Sequence, residues 1–239
     1  MPTCSYDEVT LYYEESGEGF PVLLFAPGGM RSAIDFWYNS PWNPIEALSP
    51  HFRVIAMDQR NAGKSTAPVT AGDGWDSYAQ DHLALLDHLG VDKCHVLGGC
   101  IGGPYCFGVI KEDPERVAAA VLQQTIGYED NRDAFYQMFD GWADNLKKER
   151  DDVTDKDLQQ FRSNMYDGDF LFNVGRDFVR HCETPMLVLM GDDLYHPQSI
   201  SREVADLAPN AELIESWKDP DVVDNTVATV IDFLRRNTP

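Results

Sequence analysis

The stretch Cys94-His95-Val96-Leu97-Gly98-Gly99-Cys100-Ile101-Gly102-Gly103 decides how this chain is read. Cys94 to Leu97 is a short apolar run of the kind that forms a buried strand, and a helix is expected to begin near Pro104. Between them lies Gly98-Gly99-Cys100-Ile101-Gly102. A strand that turns sharply into a helix crowds its own backbone around one strained residue, and glycines two before and two after that residue fit the turn best. The central side chain is then exposed at the carboxyl end of the strand and at the amino terminus of a helix, where unpaired N–H groups favour an anion. For a cysteine this lowers the thiol pKa and raises the thiolate fraction.

On either side of this turn, the apolar runs Val22 to Phe25, Val54 to Met57, Val117 to Leu122, Met186 to Met190 and Ala211 to Ile214 read as further strands, with an early antiparallel strand at Val9 to Tyr13. Amphipathic stretches separate them, which is the pattern of a helix-flanked, mostly parallel sheet. Trp75 to Leu89 carries Tyr78, His82, Leu85, Leu86 and Leu89 near one helical face, and Gly90 is placed to cap it. Val223, Val227, Val230 and Leu234 recur at helical spacing within Val222 to Arg236, which reads as a closing helix. Residues 126 to 183 differ in texture: charged helical stretches carry aromatics and show no strand alternation. They are expected to form a helical cap inserted between two strands, within one domain spanning residues 1 to 239. Its aromatics supply candidates for an apolar substrate wall; the candidate substrate contacts are Trp142 and Phe139 of the cap and Tyr195 beyond it.

Two further motifs stand at matching points in the chain order. Leu24-Phe25-Ala26-Pro27-Gly28-Gly29-Met30 follows a strand, and Asp58-Gln59-Arg60-Asn61-Ala62-Gly63-Lys64-Ser65 follows the next. With the glycine-flanked turn, which has the G-x-nucleophile-x-G form, and the segment Pro185 to Pro197, the chain resembles the α/β-hydrolase fold superfamily from about Val9 to Phe233. At the turn it looks like cysteine-nucleophile members such as dienelactone hydrolase. In overall motif order it is more similar to capped esterases and C–C hydrolases. The resemblance implies that Cys100 is the nucleophile, and that backbone N–H groups of Ile101 and of Gly29 or Met30 form an oxyanion hole. Asp58 and Arg60 read as scaffolding of their own loop.

The resemblance also implies an acid three residues after the glycine that ends the penultimate strand, and a histidine after the last strand. Three residues after Gly191 stands Leu194, so Asp193 or Asp192 must substitute, with Asp193 preferred. Glu215 to Pro220 contains no histidine, and none occurs after His196. An acyl-enzyme mechanism needs a group that moves protons to and from the nucleophile and leaving group. His196, in the loop after Met190, is the candidate, with Asp193 or Asp192 orienting it. His51, His82, His88, His95 and His181 read as structural.

Composition narrows the remaining options. A formal net charge of −21 in 239 residues repels nucleic acid and anionic membrane surfaces. No run approaches the roughly eighteen apolar residues of a membrane span, and the amino terminus lacks the features of a signal peptide. Five cysteines, an odd number without metal-ligand spacing, give no disulfide framework and no metal site; Cys94, Cys106 and Cys182 read as small core residues. The expectation is a cytoplasmic hydrolase without a cofactor, acting on a small-molecule carboxylic ester, lactone or thioester through a Cys100 acyl-enzyme; a homodimer is compatible with it. Two rival readings are a non-hydrolytic small-molecule-binding protein that has lost its base, and a lyase or isomerase using the same pocket.

Overall fold

The structure, a computed structural model, describes residues 2–239. Eight strands run in chain order as β1 Thr3–Tyr6, β2 Val9–Ser16, β3 Pro21–Phe25, β4 Arg53–Met57, β5 Cys94–Gly99, β6 Val117–Gln123, β7 Met186–Leu189 and β8 Ala211–Ile214. They form one sheet in the order β1-β2-β4-β3-β5-β6-β7-β8. The first two strands pair antiparallel, to each other and to β4, and every later pairing is parallel. All the parallel strands therefore end on one edge, and the loops after β3, β5 and β7 meet there.

The helices are α1 Pro44–Leu48, α2 Trp75–His88, α3 Gly102–Glu112, α4 Arg132–Glu149, α5 Asp155–Tyr166, α6 Arg176–Arg180, α7 Gln198–Leu207 and α8 Val223–Arg236. A central parallel strand is covered on both faces, so its residues are apolar throughout and alternate between two cores. Leu23 and Phe25 of β3 point into the core that also holds Tyr105 of α3 and Leu86 of α2, while Val22 and Leu24 point into the one that holds Phe233 of α8 and Leu48 of α1. The alternation repeats in β4, β6 and β7. Helices α4, α5 and α6 lie in the connection between β6 and β7, which contains no strand. Strand β1 was not expected from the sequence. It is an edge strand in which Cys4 is buried between exposed neighbours, too short to show a period.

The turn after β5 shows why its glycines are needed. A Cβ on Gly98 would lie 2.0 Å from the carbonyl oxygen of Gly102, one on Gly102 would lie 2.4 Å from the carbonyl oxygen of Phe25, and one on Gly103 would lie 2.0 Å from Thr125 Oγ1. The helix is pressed against β3 and β6 with no room for side chains. Gly98→Ala is expected to destabilise the protein by about 3 kcal/mol, a Tm fall of roughly 6–12 °C for a domain of this size. Thermal unfolding followed by circular dichroism measures it.

Candidate active site

Cys100 sits at the apex of this turn with φ 58°, a left-handed conformation that a non-glycine residue holds only when its surroundings enforce it. The enforcement is visible: its N–H donates to the Gln123 carbonyl at 3.0 Å, and its own carbonyl accepts from Gly103 N at 3.1 Å and Ile126 N at 3.2 Å. These bonds hold the residue across the ends of β5 and β6. The thiol points into a cavity of about 220 Å³.

His196 reaches that cavity from the loop after β7. Strand β7 lies two places from β5, about 10 Å at ordinary strand spacing, so the loop must fold back over the end of β6. Gly191 permits this, since a Cβ there would lie 2.3 Å from the His196 carbonyl oxygen. The fold-back is tied at several points: Gly191 N–H donates to Ser201 Oγ (3.0 Å), Asn131 Nδ2 to the Leu194 carbonyl (2.7 Å), and the Trp217 indole N–H to the Met190 carbonyl (2.7 Å).

Within the loop, Asp193 and His196 form a compact pair. The carboxylate lies 2.8–2.9 Å from His196 Nδ1 and accepts the N–H groups of Tyr195 (2.9 Å) and His196 (3.1 Å). Burial would raise the Asp193 carboxyl, but the imidazole and the two N–H groups outweigh it and hold it below its ordinary range. Asp192, the other candidate, turns outward to Lys218 Nζ at 2.5 Å. With Nδ1 committed to Asp193, His196 Nε2 is buried without a hydrogen bond of ordinary geometry, and it interacts with the Cys100 thiol on the cavity wall. Burial alone would lower the imidazole, yet the facing thiolate and the Asp193 carboxylate raise it to about 9. Burial alone would likewise raise the Cys100 thiol, and it is lowered by the imidazolium together with the N–H groups of Gly28 and Ile101. The two opposite shifts favour a thiolate facing an imidazolium across the cavity.

Of the N–H donors expected from the sequence, Ile101 reaches the sulfur. The Gly28 N–H also acts on the sulfur. Gly28 has φ 123° and Gly29 φ 58°, so both glycines adopt backbone that other residues rarely hold. Gly29 lines the cavity, whereas the Met30 side chain is buried and its Sδ takes a 3.5 Å contact from the Tyr166 hydroxyl.

The apolar wall consists of Ile126, Phe135, Met138, Tyr166 and Tyr195. Tyr195 was expected there; Trp142 and Phe139 were expected and do not line it. They pack instead against Phe161 of α5, at ring-centroid distances of 5.9 and 5.3 Å. Position along α4 explains the difference: Trp142 lies seven residues, about 10 Å, beyond Phe135, past the end of the cavity. Met138, one turn from Phe135, reaches over Gly29, and the spacing of three was the available signal. The remaining histidines lie elsewhere. His82 is buried against Gln59 Oε1 (2.8 Å) and pushed down to about 3 by burial and Arg60, while His95 pairs with Thr238 Oγ1 (2.9 Å). Asp58 accepts the N–H groups of Ile34 and Lys64, both at 2.8 Å, and so braces its own loop. A larger groove of about 780 Å³ lies at the opposite edge of the sheet, beside the amino ends of β5, β6 and β7, and is remote from Cys100.

Residues 21–173 match the sequence pattern of the family described as the alpha/beta hydrolase fold. The chain belongs to the α/β-hydrolase fold family. Among curated members it is 32% identical over 115 residues to a Pseudomonas putida 2-hydroxy-6-oxononadienedioate/2-hydroxy-6-oxononatrienedioate hydrolase, an alignment covering 48% of this chain and 40% of that one. It is 34% identical over 116 residues to the dihydrolipoyllysine-residue acetyltransferase component of an acetoin cleaving system, also from Pseudomonas putida, covering 48% and 30%. The chain spans less than half the length of these curated relatives. Over nearly its whole length it superposes on the enol-lactonase of Burkholderia xenovorans, with a TM-score of 0.72, 22% identity and coverage of 98% and 100%. Against the α/β-hydrolase motif order, its departure is local. After β8, where the resemblance implied a histidine, the buried Trp217 supports the end of β7, and the imidazole that lines the cavity is that of His196 in the β7 loop.

Proposed function

We propose that this protein is a thiol-dependent acyl hydrolase in which Cys100 is the nucleophile, His196 the proton carrier and Asp193 the group that orients and charges His196. The observation that carries the reading is the run Asp193, His196, Cys100 meeting at one end of an apolar cavity. The Cys100 thiolate attacks the carbonyl carbon of an ester, lactone or thioester; a C–S bond forms and the carbonyl electrons move to oxygen. The oxyanion lies within reach of the N–H groups of Ile101 and Gly28, donors fixed before the charge develops. Collapse of the intermediate breaks the bond to the leaving group, which takes the proton from His196 Nε2. Neutral His196 then accepts a proton from water as the water attacks the thioester. The second collapse releases the acid and restores the thiolate–imidazolium pair.

A relative's named function supports a hydrolase: the first Pseudomonas putida protein is a 2-hydroxy-6-oxononadienedioate/2-hydroxy-6-oxononatrienedioate hydrolase. The reading as a binding protein rested on a missing base, and an imidazole beside the thiol weighs against it. A small-molecule substrate follows from the cavity's size. Rapid mixing with p-nitrophenyl acetate tests the mechanism. The expected result is a burst of nitrophenol, one acyl group of added mass on the Cys100 peptide, and continued turnover. A stable adduct without turnover would replace hydrolysis with acyl carriage, and turnover with no adduct at any time would remove the covalent mechanism.

A further inference from the structure

We infer that the cavity takes a short, uncharged acyl group, of about six carbons or fewer, and excludes acyl groups that end in a carboxylate; this rests on the acyl-enzyme reading above. The first argument is size. A volume of about 220 Å³ holds roughly seven water molecules at about 30 Å³ each, and so a comparable number of non-hydrogen atoms. It falls below the roughly 300–1,000 Å³ of ordinary ligand pockets.

The second argument is charge. None of the residues lining the cavity is lysine or arginine, and the single cationic group, His196, already faces both the thiolate and Asp193. The nearby Arg132 is committed elsewhere: its guanidinium lies 4.2 Å over the Tyr128 ring and donates to the Tyr166 carbonyl. The Tyr166 hydroxyl is engaged with Met30 Sδ. A second carboxylate brought into this wall would lose its hydration and gain no counter-ion, against a chain whose net charge of −21 already opposes its approach.

The third argument is where the limit is set. Phe135 meets the Tyr195 ring edge-on at 5.3 Å and stacks on the Tyr166 ring at 5.3 Å, so these three rings form one packed side of the wall. Phe135 is therefore a specificity-determining residue.

A series of p-nitrophenyl esters with straight acyl chains of about two to ten carbons tests this, together with carboxylate-terminated analogues of matched length and the Cys100→Ala variant alongside. The expected result is a Cys100-dependent kcat/KM that is highest at or below about six carbons and falls about tenfold or more by ten. Carboxylate-terminated esters are expected to react about 10²-fold more slowly than neutral ones of equal length, a deficit that persists in 1 M salt, where long-range repulsion is screened. Phe135→Ala should move the optimum to longer chains and leave the carboxylate analogues poor. Cys100-dependent turnover that peaks at eight carbons or more, or that treats the carboxylate analogues as equals, overturns this inference and leaves the hydrolase standing. No turnover in the whole series, or turnover that survives Cys100→Ala, overturns the hydrolase and this inference with it.

Discussion

Cys100→Ala is expected to reduce kcat/KM toward a short neutral thioester by about 10³-fold or more, since a covalent pathway loses its nucleophile and only positioning and oxyanion stabilisation remain. Backbone arguments favour a clean experiment. Alanine can occupy the φ of 58° about as readily as cysteine, and the bonds from Cys100 N–H to Gln123 and from Ile126 N–H to its carbonyl do not involve the side chain. The variant should therefore keep its Tm to within a few degrees. The other four cysteines cannot substitute: Cys4, Cys94, Cys106 and Cys182 are all buried, and burial pushes the Cys94 thiol up to about 12. Cys100→Ser should also be impaired, because an alcohol stays protonated here and must give its proton to His196 during attack, a step that the preformed thiolate does not need. Activity within tenfold of the parent in Cys100→Ala would point to chemistry that does not pass through sulfur.

The parts of the architecture visible in the sequence were those fixed by local sterics and by period. The glycines around Cys100 were legible because a Cβ at Gly98, Gly102 or Gly103 has no room, so residue type alone marks the turn. The buried strands were legible because both of their faces are covered. The cap aromatics illustrate the limit. Phe135, Phe139 and Trp142 occupy similar positions in the helical pattern and are all buried, yet only Phe135 reaches the cavity. Which end of a helix overlies a site depends on how it is docked, and periodicity carries no information about docking. The turn after β3 shows a related limit. A Gly-Gly pair announces an unusual backbone without specifying which N–H it will aim.

The placement of His196 follows the same logic over a longer distance. Counting histidines after β8 finds none, which by itself argues against catalysis. What the count omits is distance across the sheet: β8 lies three strands from β5, whereas β7 lies two. An imidazole delivered from the β7 loop has about 5 Å less to cover, provided the loop can fold back on its own carboxylate. That fold-back depends on Gly191, Asn131, Ser201 and Trp217, residues spread over almost ninety positions in the sequence. Trp217 ties the two changes together, because the residue that stands in the region lacking a histidine is also a support for the strand that supplies one.

His196→Ala is expected to reduce kcat/KM about 10²- to 10⁴-fold, the ordinary range for a lost acid–base group, and to change the titration of the remaining thiol in a direction that separates chemistry from scaffolding. In the parent the thiolate–imidazolium pair forms as pH rises through the lowered Cys100 range, and it is lost as pH climbs past about 9, where His196 gives up its proton. Activity should therefore show an alkaline limb near 9. Removing the imidazole leaves the Gly28 and Ile101 N–H groups alone against burial, the largest influence on this thiol, so its pKa must rise. The rate of Cys100 alkylation by iodoacetamide, followed against pH, should move its midpoint upward by about one to three units, with Tm little altered. Asp193→Asn should move it in the same direction by less, because the amide still supports the ring but no longer stabilises its charge. Lost activity without any shift of the alkylation profile would mean that His196 shapes the loop and does not share charge with the thiol.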